Sequence, residues 1–573
     1  MTIPRCEHPR PDFRRENWLC LNGQWDFSFE KDCFDRKITV PYAPETELSG
    51  IADTGFHDLV WYRKRFSLPE TMAGKKILLH FGAVDYECDL WVNGHYVRSH
   101  EGGQSSFFAD ITRYLTGDEQ EILLKVWDDH ADMEMPRGKQ YWKLQSEMIF
   151  YTRTTGIWQS VWLEAVESLH LTRCRITPLL DEKAVRFDYT LSGKATAEFT
   201  VRFAGNAVAT ACAESDGTDG TVVMALDQRC LAGADVQSYA WSPENPHLFD
   251  VTVRILDKNC ETDCVESYFG LRKVSIENGK FLLNGKPYYQ KLVLDQGYWE
   301  KSLMTAPTDE DFIRDIELVK AMGFNGVRKH QKVEDPRFLY HADRLGLLVW
   351  GEIGAAHQYS PKAARRMYHE WLEVVERDYN HPCIVVWVPL NENWGVSDLR
   401  TDSAQQAHCQ ALVYMTKSLD TTRPIIDNDG WLHTCGDLLT IHDYATDPEA
   451  LYSHYMDLAE IMKIKPERRE MFADGWHYQG QPILVTEFGG IRFAPDSHTD
   501  GAWGYCETKD TQSYARSLAG QVKALLDSPL VQGYCYTQLT DIELEENGLL
   551  TYGRQPKLPP ETLRAINEGT WNE

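Results

Sequence analysis

The stretch Ile384-Val385-Val386-Trp387-Val388-Pro389-Leu390-Asn391-Glu392 opens with five consecutive β-forming residues and ends in an asparagine and a glutamate. A run this short, apolar on every residue, suits a strand buried on both faces, and its polar end suits a strand tip that meets solvent or substrate. The same pattern recurs at Gly326-Val327-Arg328, Leu347-Leu348-Val349-Trp350, Pro482-Ile483-Leu484-Val485-Thr486-Glu487 and Gly533-Tyr534-Cys535-Tyr536. Residues 309–322 and 362–379 lie between such runs and carry helical periodicity. Strand–helix alternation over residues 273–573 predicts a (β/α)8 TIM barrel, with a doubly wound open sheet as the competing arrangement. In a barrel the carboxyl ends of the strands carry the chemistry, which makes the residues at the end of each run the candidates for function.

Working towards the amino terminus, the texture changes. Residues 1–166 contain short alternating runs such as Ile77-Leu78-Leu79-His80-Phe81, Cys88-Asp89-Leu90-Trp91-Val92 and Glu121-Ile122-Leu123-Leu124-Lys125-Val126-Trp127. Asn93-Gly94, set between two strand-like stretches, is a hairpin signal because both residues tolerate positive φ. A β-sandwich of the jelly-roll kind is expected. Residues 167–272 repeat that texture on a smaller scale, with Phe199-Thr200-Val201-Arg202-Phe203 and Val251-Thr252-Val253-Arg254-Ile255-Leu256, and suit an immunoglobulin-like β-sandwich. The expectation is a multidomain chain, divided at 1–166, 167–272 and 273–573.

Composition narrows the function. A chain of 573 residues with 43% hydrophobic and 25% charged residues exceeds what one core can organise and reads as globular. A net charge of −27 disfavours a nucleic-acid partner, since phosphate binding needs a basic face. The first residues lack the apolar core of a signal peptide and no run is long enough to span a bilayer, so a cytoplasmic location without membrane contact is expected. The 14 cysteines show no metal-ligand spacing and read as free thiols. No glycine-rich phosphate loop is present, so neither a nucleotide cofactor nor a metal is expected.

Cleaving a glycosidic bond takes a proton for the leaving oxygen and either a nucleophile or a base at the anomeric carbon, and two carboxyl groups supply both. Glu392 and Glu487 each end a buried-looking strand, and a glutamate there faces a barrel mouth rather than bulk water. Taken singly, each could be an ion-pair partner; an Asn-Glu on one strand and a Thr-Glu-Phe-Gly-Gly on a later one point together to this chemistry.

Across nearly its whole length the chain resembles glycoside hydrolase family 2, the group of β-galactosidases, β-glucuronidases and β-mannosidases. The resemblance rests on Leu21-Asn22-Gly23-Gln24-Trp25-Asp26-Phe27, Leu90-Trp91-Val92-Asn93-Gly94-His95, Thr155-Gly156-Ile157-Trp158-Gln159-Ser160-Val161-Trp162-Leu163-Glu164 and Phe281-Leu282-Leu283-Asn284-Gly285-Lys286-Pro287. It implies Glu392 as acid/base, Glu487 as nucleophile, Asn391 on the sugar 2-hydroxyl and Tyr444 orienting the nucleophile. A retaining exo-β-glycosidase is the activity it implies, with a carbohydrate as partner. A homo-oligomer is compatible with the family.

The sugar is less legible. Arg328 matches the family arginine after the second barrel strand, but His330-Gln331-Lys332-Val333 and Lys291-Leu292-Val293-Leu294-Asp295-Gln296 depart from the usual patterns. The family's glucuronidases carry Asn-x-Lys after the eighth strand, where this chain has Glu545-Glu546-Asn547. Arg328, Lys329 and Lys332 still cluster cations that could meet an anionic sugar such as a galacturonide, or else bridge to Glu334, Asp335 or Glu352. Asp295 and Glu352 are candidate acceptors for sugar hydroxyls, and Trp394 is the candidate stacking platform. β-Galactosides, β-hexuronides, furanosides (α-L-arabinofuranose or β-galactofuranose) and a catalytically dead carbohydrate-binding protein are the alternatives carried forward.

Overall fold

The computed structural model describes residues 3–572 apart from 32, 216, 228–235 and 494–499. In the amino-terminal sandwich a six-stranded antiparallel sheet and a four-stranded one share a single core. Along Glu119–Trp127, buried and less buried residues alternate strictly, so Ile122, Leu124 and Val126 enter that core while Leu123 and Lys125 stay on the outer face. The hairpin at Asn93-Gly94 forms as the sequence predicts, with φ of 48° and 78°.

The second sandwich packs a three-stranded sheet and a four-stranded one around Phe187, Phe199, Val253 and Phe249. It is fixed to the rest of the chain by buried polar groups. The Arg272 guanidinium donates to the carbonyls of Pro382 and Ile384, each at 2.7 Å, and Trp241 Nε1 donates to Asp343 O at 2.7 Å.

The carboxyl-terminal part is a parallel barrel. Seven strands pair in the order Ile384–Val388, Leu348–Glu352, Gly326–Lys329, Gln290–Asp295, Val531–Thr537, Ile483–Gly489, Leu439–His442. The fifth position is filled by residues 424–429, which pair irregularly: Ile426 N donates to Trp387 O at 2.9 Å, and Glu392 N to Asp429 O at 3.0 Å. On its other side Asp437 N donates to Ile425 O at 2.8 Å and His442 N to Gly430 O at 3.2 Å, so the ring closes and the open-sheet alternative falls away. Helices Asp309–Ala321 and Pro361–Asp378 lie where the periodicity predicts them, each begun by a hydroxyl N-cap, Thr308 and Ser360.

One connection matters for function. The sandwich segment around Arg137, Gly138 and Lys139 lies across the barrel mouth, with Gly138 N donating to Ala355 O at 3.0 Å and His357 Nε2 bonded to Gly138 O at 2.9 Å. Gly138 has φ of 58°, and a Cβ there would stand 2.2 Å from Gln331 O, so only glycine permits this approach. Among the described residues no helix is long and apolar enough to cross a membrane.

Candidate active site

The mouth is organised around Arg328, which is fully buried and extends from the tip of the second barrel strand. Its guanidinium reaches Glu352 Oε2 at 2.9 Å, Glu487 Oε1 at 2.9 Å, Asp429 Oδ2 at 2.6 Å and Asn391 Oδ1 at 2.5 Å, and it donates to His330 Nδ1 at 3.0 Å. One planar, permanently charged fork thus fixes residues from four strands or strand positions. Burial and the Arg328 charge push His330 well below the ordinary histidine range, so it serves as a neutral acceptor.

Glu392 sits at the turn after Ile384–Val388 with φ of 50°, and its neighbour Asn393 has φ of 59°. A left-handed backbone is costly for residues with a Cβ, and it persists where surrounding bonds over-determine it. Here Glu392 N donates to Asp429 O, Asn393 N to Asn428 Oδ1 at 2.9 Å, and Trp394 N to Asn391 O at 2.8 Å. The turn presents the Glu392 carboxyl to the mouth.

Glu487 arrives from Ile483–Gly489, a strand buried on every residue. Its Oε1 accepts from Arg328, and its Oε2 accepts from the Tyr444 hydroxyl at 2.5 Å. Tyr444 is also stacked on Tyr505, with ring centroids 3.3 Å apart. Between the two glutamates stands His442. Its Nδ1 lies 2.6 Å from Glu392 Oε1, and its Nε2 lies 3.1 Å from Asp429 Oδ2 and 3.5 Å from Glu487 Oε1. An oxygen of Glu392, a ring nitrogen of His442 and an oxygen of Glu487 all fall within 4.8 Å of one another.

The electrostatics separate the two carboxyls. Burial, then the charge of Glu487, raises Glu392 above the usual carboxylate range. Burial acts on Glu487 in the same direction, but His442 and Arg328 outweigh it and hold that carboxyl below its ordinary value. Burial disfavours charge on His442 too, yet Glu487 and Glu392 overcome it and lift the imidazole to about 10. Glu352 is pushed up to about 7, chiefly by burial. The site therefore drives the two carboxyls in opposite senses, Glu392 towards its protonated form and Glu487 towards its ionised one.

Two carboxylates and an imidazole have the composition of a cation site, but the donor set does not suit one. An imidazole raised to about 10 is protonated at both nitrogens and offers no lone pair, while Arg328 already neutralises Glu487. These residues do not fit a resident metal.

Of the residues singled out from sequence, Glu392, Glu487, Asn391, Tyr444, Arg328 and Glu352 converge on this mouth. Asn391 Nδ2 is buried and has no hydrogen-bond partner, while its Oδ1 accepts from Arg328. Trp394 is half-buried beside Phe150 and His357, at centroid distances of 5.5 and 5.1 Å. Two expectations need correction. Lys332 is 1% exposed, and its ammonium is engaged by Gly297 O at 2.7 Å, Met304 O at 2.8 Å and Glu334 Oε1 at 3.1 Å. Asp295 is 3% exposed and held by Lys329 at 2.5 Å and Gly297 N at 2.8 Å. Both belong to a buried ion cluster with Lys329 and Glu334, which engages all three donors of the Lys332 ammonium and both oxygens of Asp295. Arg328 is likewise engaged with protein groups and holds Glu352, Asn391, Asp429 and Glu487 in place.

Sequence reading missed His442, Asp429 and Lys139, and took Glu545 only as part of a departure from the family's Asn-x-Lys. His442 was within reach, lying two residues before Tyr444; Lys139 was not, because it belongs to a different domain.

Comparison with known proteins now decides the family. Residues 50–165 match the sugar binding domain of glycosyl hydrolases family 2, residues 169–272 match a further glycosyl hydrolases family 2 domain, and residues 274–500 match the family's TIM barrel domain. The chain belongs to glycosyl hydrolases family 2. Within it, the chain is 24% identical over 607 residues to a β-glucuronidase of Paenibacillus borealis, covering 95% of this chain and 96% of that one. It is 27% identical over 421 residues to a β-galactosidase of Thermoanaerobacter pseudethanolicus, which covers 70% of this chain but 53% of that one. The chain thus spans about half the length of one such family 2 relative and nearly all of the other. The solved structure of a β-D-glucuronidase from Dictyoglomus thermophilum superimposes with a TM-score of 0.79 at 20% identity, covering 98% of each chain, which extends the likeness of fold to the whole molecule.

Proposed function

We propose that this family 2 chain is a retaining exo-β-glycosidase that removes a neutral terminal sugar, with β-galactosides as the first substrates to consider. The observation that carries the reading is the approach of Glu392 and Glu487 to within 4.8 Å, oxygen to oxygen, with their protonation driven in opposite senses. That separation suits a double displacement, in which carboxyl groups stand about 5–5.5 Å apart, and is too short to lodge the water of an inverting reaction. Glu487, ionised and oriented by Tyr444 and Arg328, attacks the anomeric carbon while Glu392 delivers its proton to the leaving oxygen. Glu392, now a base, then takes a proton from the water that releases the sugar. The unpartnered Nδ2 of Asn391 is available to the 2-hydroxyl, a contact that strengthens in the oxocarbenium-like transition state.

The cations past the second strand are engaged by protein carboxylates, which favours a neutral sugar over a hexuronide. Exo action is supported by the sandwich segment at Gly138 and Lys139, which docks on the barrel loop at Ala355 and His357 and puts the Lys139 ammonium beside Trp394. The retention of both glutamates argues against a dead binding protein. The same reading takes 1–166, 167–272 and 273–573 as the sugar-binding-like, immunoglobulin-like and catalytic domains.

The test is turnover of p-nitrophenyl β-galactoside, β-galacturonide, β-glucuronide and α-L-arabinofuranoside, with the first-formed anomer tracked by NMR. Galactoside cleavage with retention is expected. Inversion at first turnover would overturn the double displacement, and cleavage confined to uronides or furanosides would overturn the sugar assignment.

A further inference from the structure

Lys139 and Glu545 are buried charges of opposite sign in the wall of the active-site mouth, 6% and 2% exposed, contributed by different domains. Tyr151 connects them: its N–H donates to Lys139 O at 2.9 Å and its hydroxyl to Glu545 Oε2 at 2.5 Å. The Lys139 ammonium stands 5.1 Å from the ring centre of Trp394, two residues past Glu392. Among the described residues no carboxylate lies within the 4.0 Å ion-pair distance of that ammonium. The two charges nevertheless act on each other, since Lys139 is the strongest influence opposing the burial-driven rise of the Glu545 carboxyl, and it also acts on Glu392. Glu545 keeps Oε1 on Asn547 Nδ2 at 3.0 Å, so its orientation is fixed.

Opposite charges buried within electrostatic reach but not in contact are costly unless something bridges them. We propose that Lys139 and Glu545 form a clamp for one hydroxyl group of the neutral sugar, whose oxygen accepts from the lysine and whose proton is donated to the glutamate. An alcohol is the group that satisfies both at once, being donor and acceptor on one atom. A carboxylate would satisfy Lys139 but stand against Glu545, with the negative charge of Glu487 beyond it. The pair would then determine specificity from outside the reacting atoms. This inference rests on the neutral-glycosidase reading above.

The experiment compares aryl β-galactoside with its 3-, 4- and 6-deoxy analogues on the wild type, Lys139→Met, Lys139→Gln and Glu545→Gln. Each variant is first checked for an unaltered circular dichroism spectrum and melting transition. In the wild type one deoxy analogue is expected to lose about 10- to 100-fold in kcat/KM, the worth of a hydrogen bond to a charged group. In the folded variants the parent galactoside falls by a similar factor and that deoxy penalty shrinks to less than about 3-fold, because the missing hydroxyl no longer has a clamp to lose. Deoxy penalties that persist unchanged in every folded variant overturn the clamp, as does a Lys139 loss confined to hexuronides. A wild type that cleaves no neutral β-glycoside defeats the functional reading and the clamp with it, and differs from failure of the clamp alone, which requires an active wild type.

Discussion

His442 Nδ1 stands 2.6 Å from Glu392 Oε1, and the opposite ring nitrogen stands 3.1 Å from Asp429 Oδ2. With the imidazole lifted to about 10, both nitrogens carry protons at neutral pH and both donate. Oε1 of Glu392 is therefore an acceptor, which leaves Oε2 as the oxygen to carry a proton on that carboxyl. A single imidazolium thereby touches one glutamate and lies within electrostatic reach of the other.

Replacing His442 by Gln should shift the whole bell-shaped pH profile of kcat/KM upward. His442 lowers the pKa of Glu392 and of Glu487, so its loss raises both. The acidic limb, where Glu487 must ionise, and the alkaline limb, where Glu392 must keep its proton, move the same way. In the wild type the support is present below the unfolded histidine value and disappears as pH rises through about 10. Limbs that stay in place in His442→Gln would show that the imidazole carries no charge in this site.

Glu487→Gln should remove essentially all turnover with little change in melting temperature. The amide keeps the shape of the side chain but cannot form the glycosyl intermediate, a loss on the order of several kcal/mol of transition-state stabilisation. Residual activity above a few per cent, with contamination excluded, would reassign the nucleophile.

Glu392→Ala should discriminate between leaving groups. Activated aryl groups depart without protonation, whereas alkyl or sugar aglycones do not, so kcat/KM should fall far more for the latter. Equal losses across a leaving-group series would mean that Glu392 is not the acid.

The barrel and the placement of both glutamates at its mouth were legible because buried parallel strands leave a local signature, a continuous apolar run with a polar tip, and each of the two carboxyls follows such a run. Ile384–Val388 with Glu392 and Ile483–Gly489 with Glu487 show it directly. The fifth barrel strand left no such run: residues 424–429 are Pro, Ile, Ile, Asp, Asn and Asp, and they pair through scattered bonds. The cation cluster was legible as composition but not as contact. Whether Lys332 faces substrate depends on where Glu334 and the carbonyls of Gly297 and Met304 lie, which spacing along one strand does not encode. Lys139 was hidden for a different reason, since 253 positions of chain separate it from Glu392 (392 − 139) and only the docking of Gly138 on Gln331 brings them together.

The placement of Lys332 yields the last prediction. Had it gripped a sugar carboxylate, Lys332→Met would lower uronide turnover and spare galactosides. In the structure its ammonium satisfies two carbonyls and Glu334, while Glu334 also holds Lys329 at 2.7 Å, so the substitution leaves two carbonyl acceptors unpaired and the buried cluster with one excess negative charge. Breaking one partner out of a buried ion cluster costs roughly 3–5 kcal/mol. Lys332→Met should therefore lower the melting temperature measurably, while any loss of kcat/KM falls on every substrate by the same factor. Lys332→Met combined with Glu334→Gln should recover part of that stability, because removing both charges restores the balance of Lys329 against Asp295. Calorimetry on the wild type, the two single variants and the double variant checks the cycle. An unchanged melting temperature in Lys332→Met would show that the lysine is not the structural cation this cluster requires.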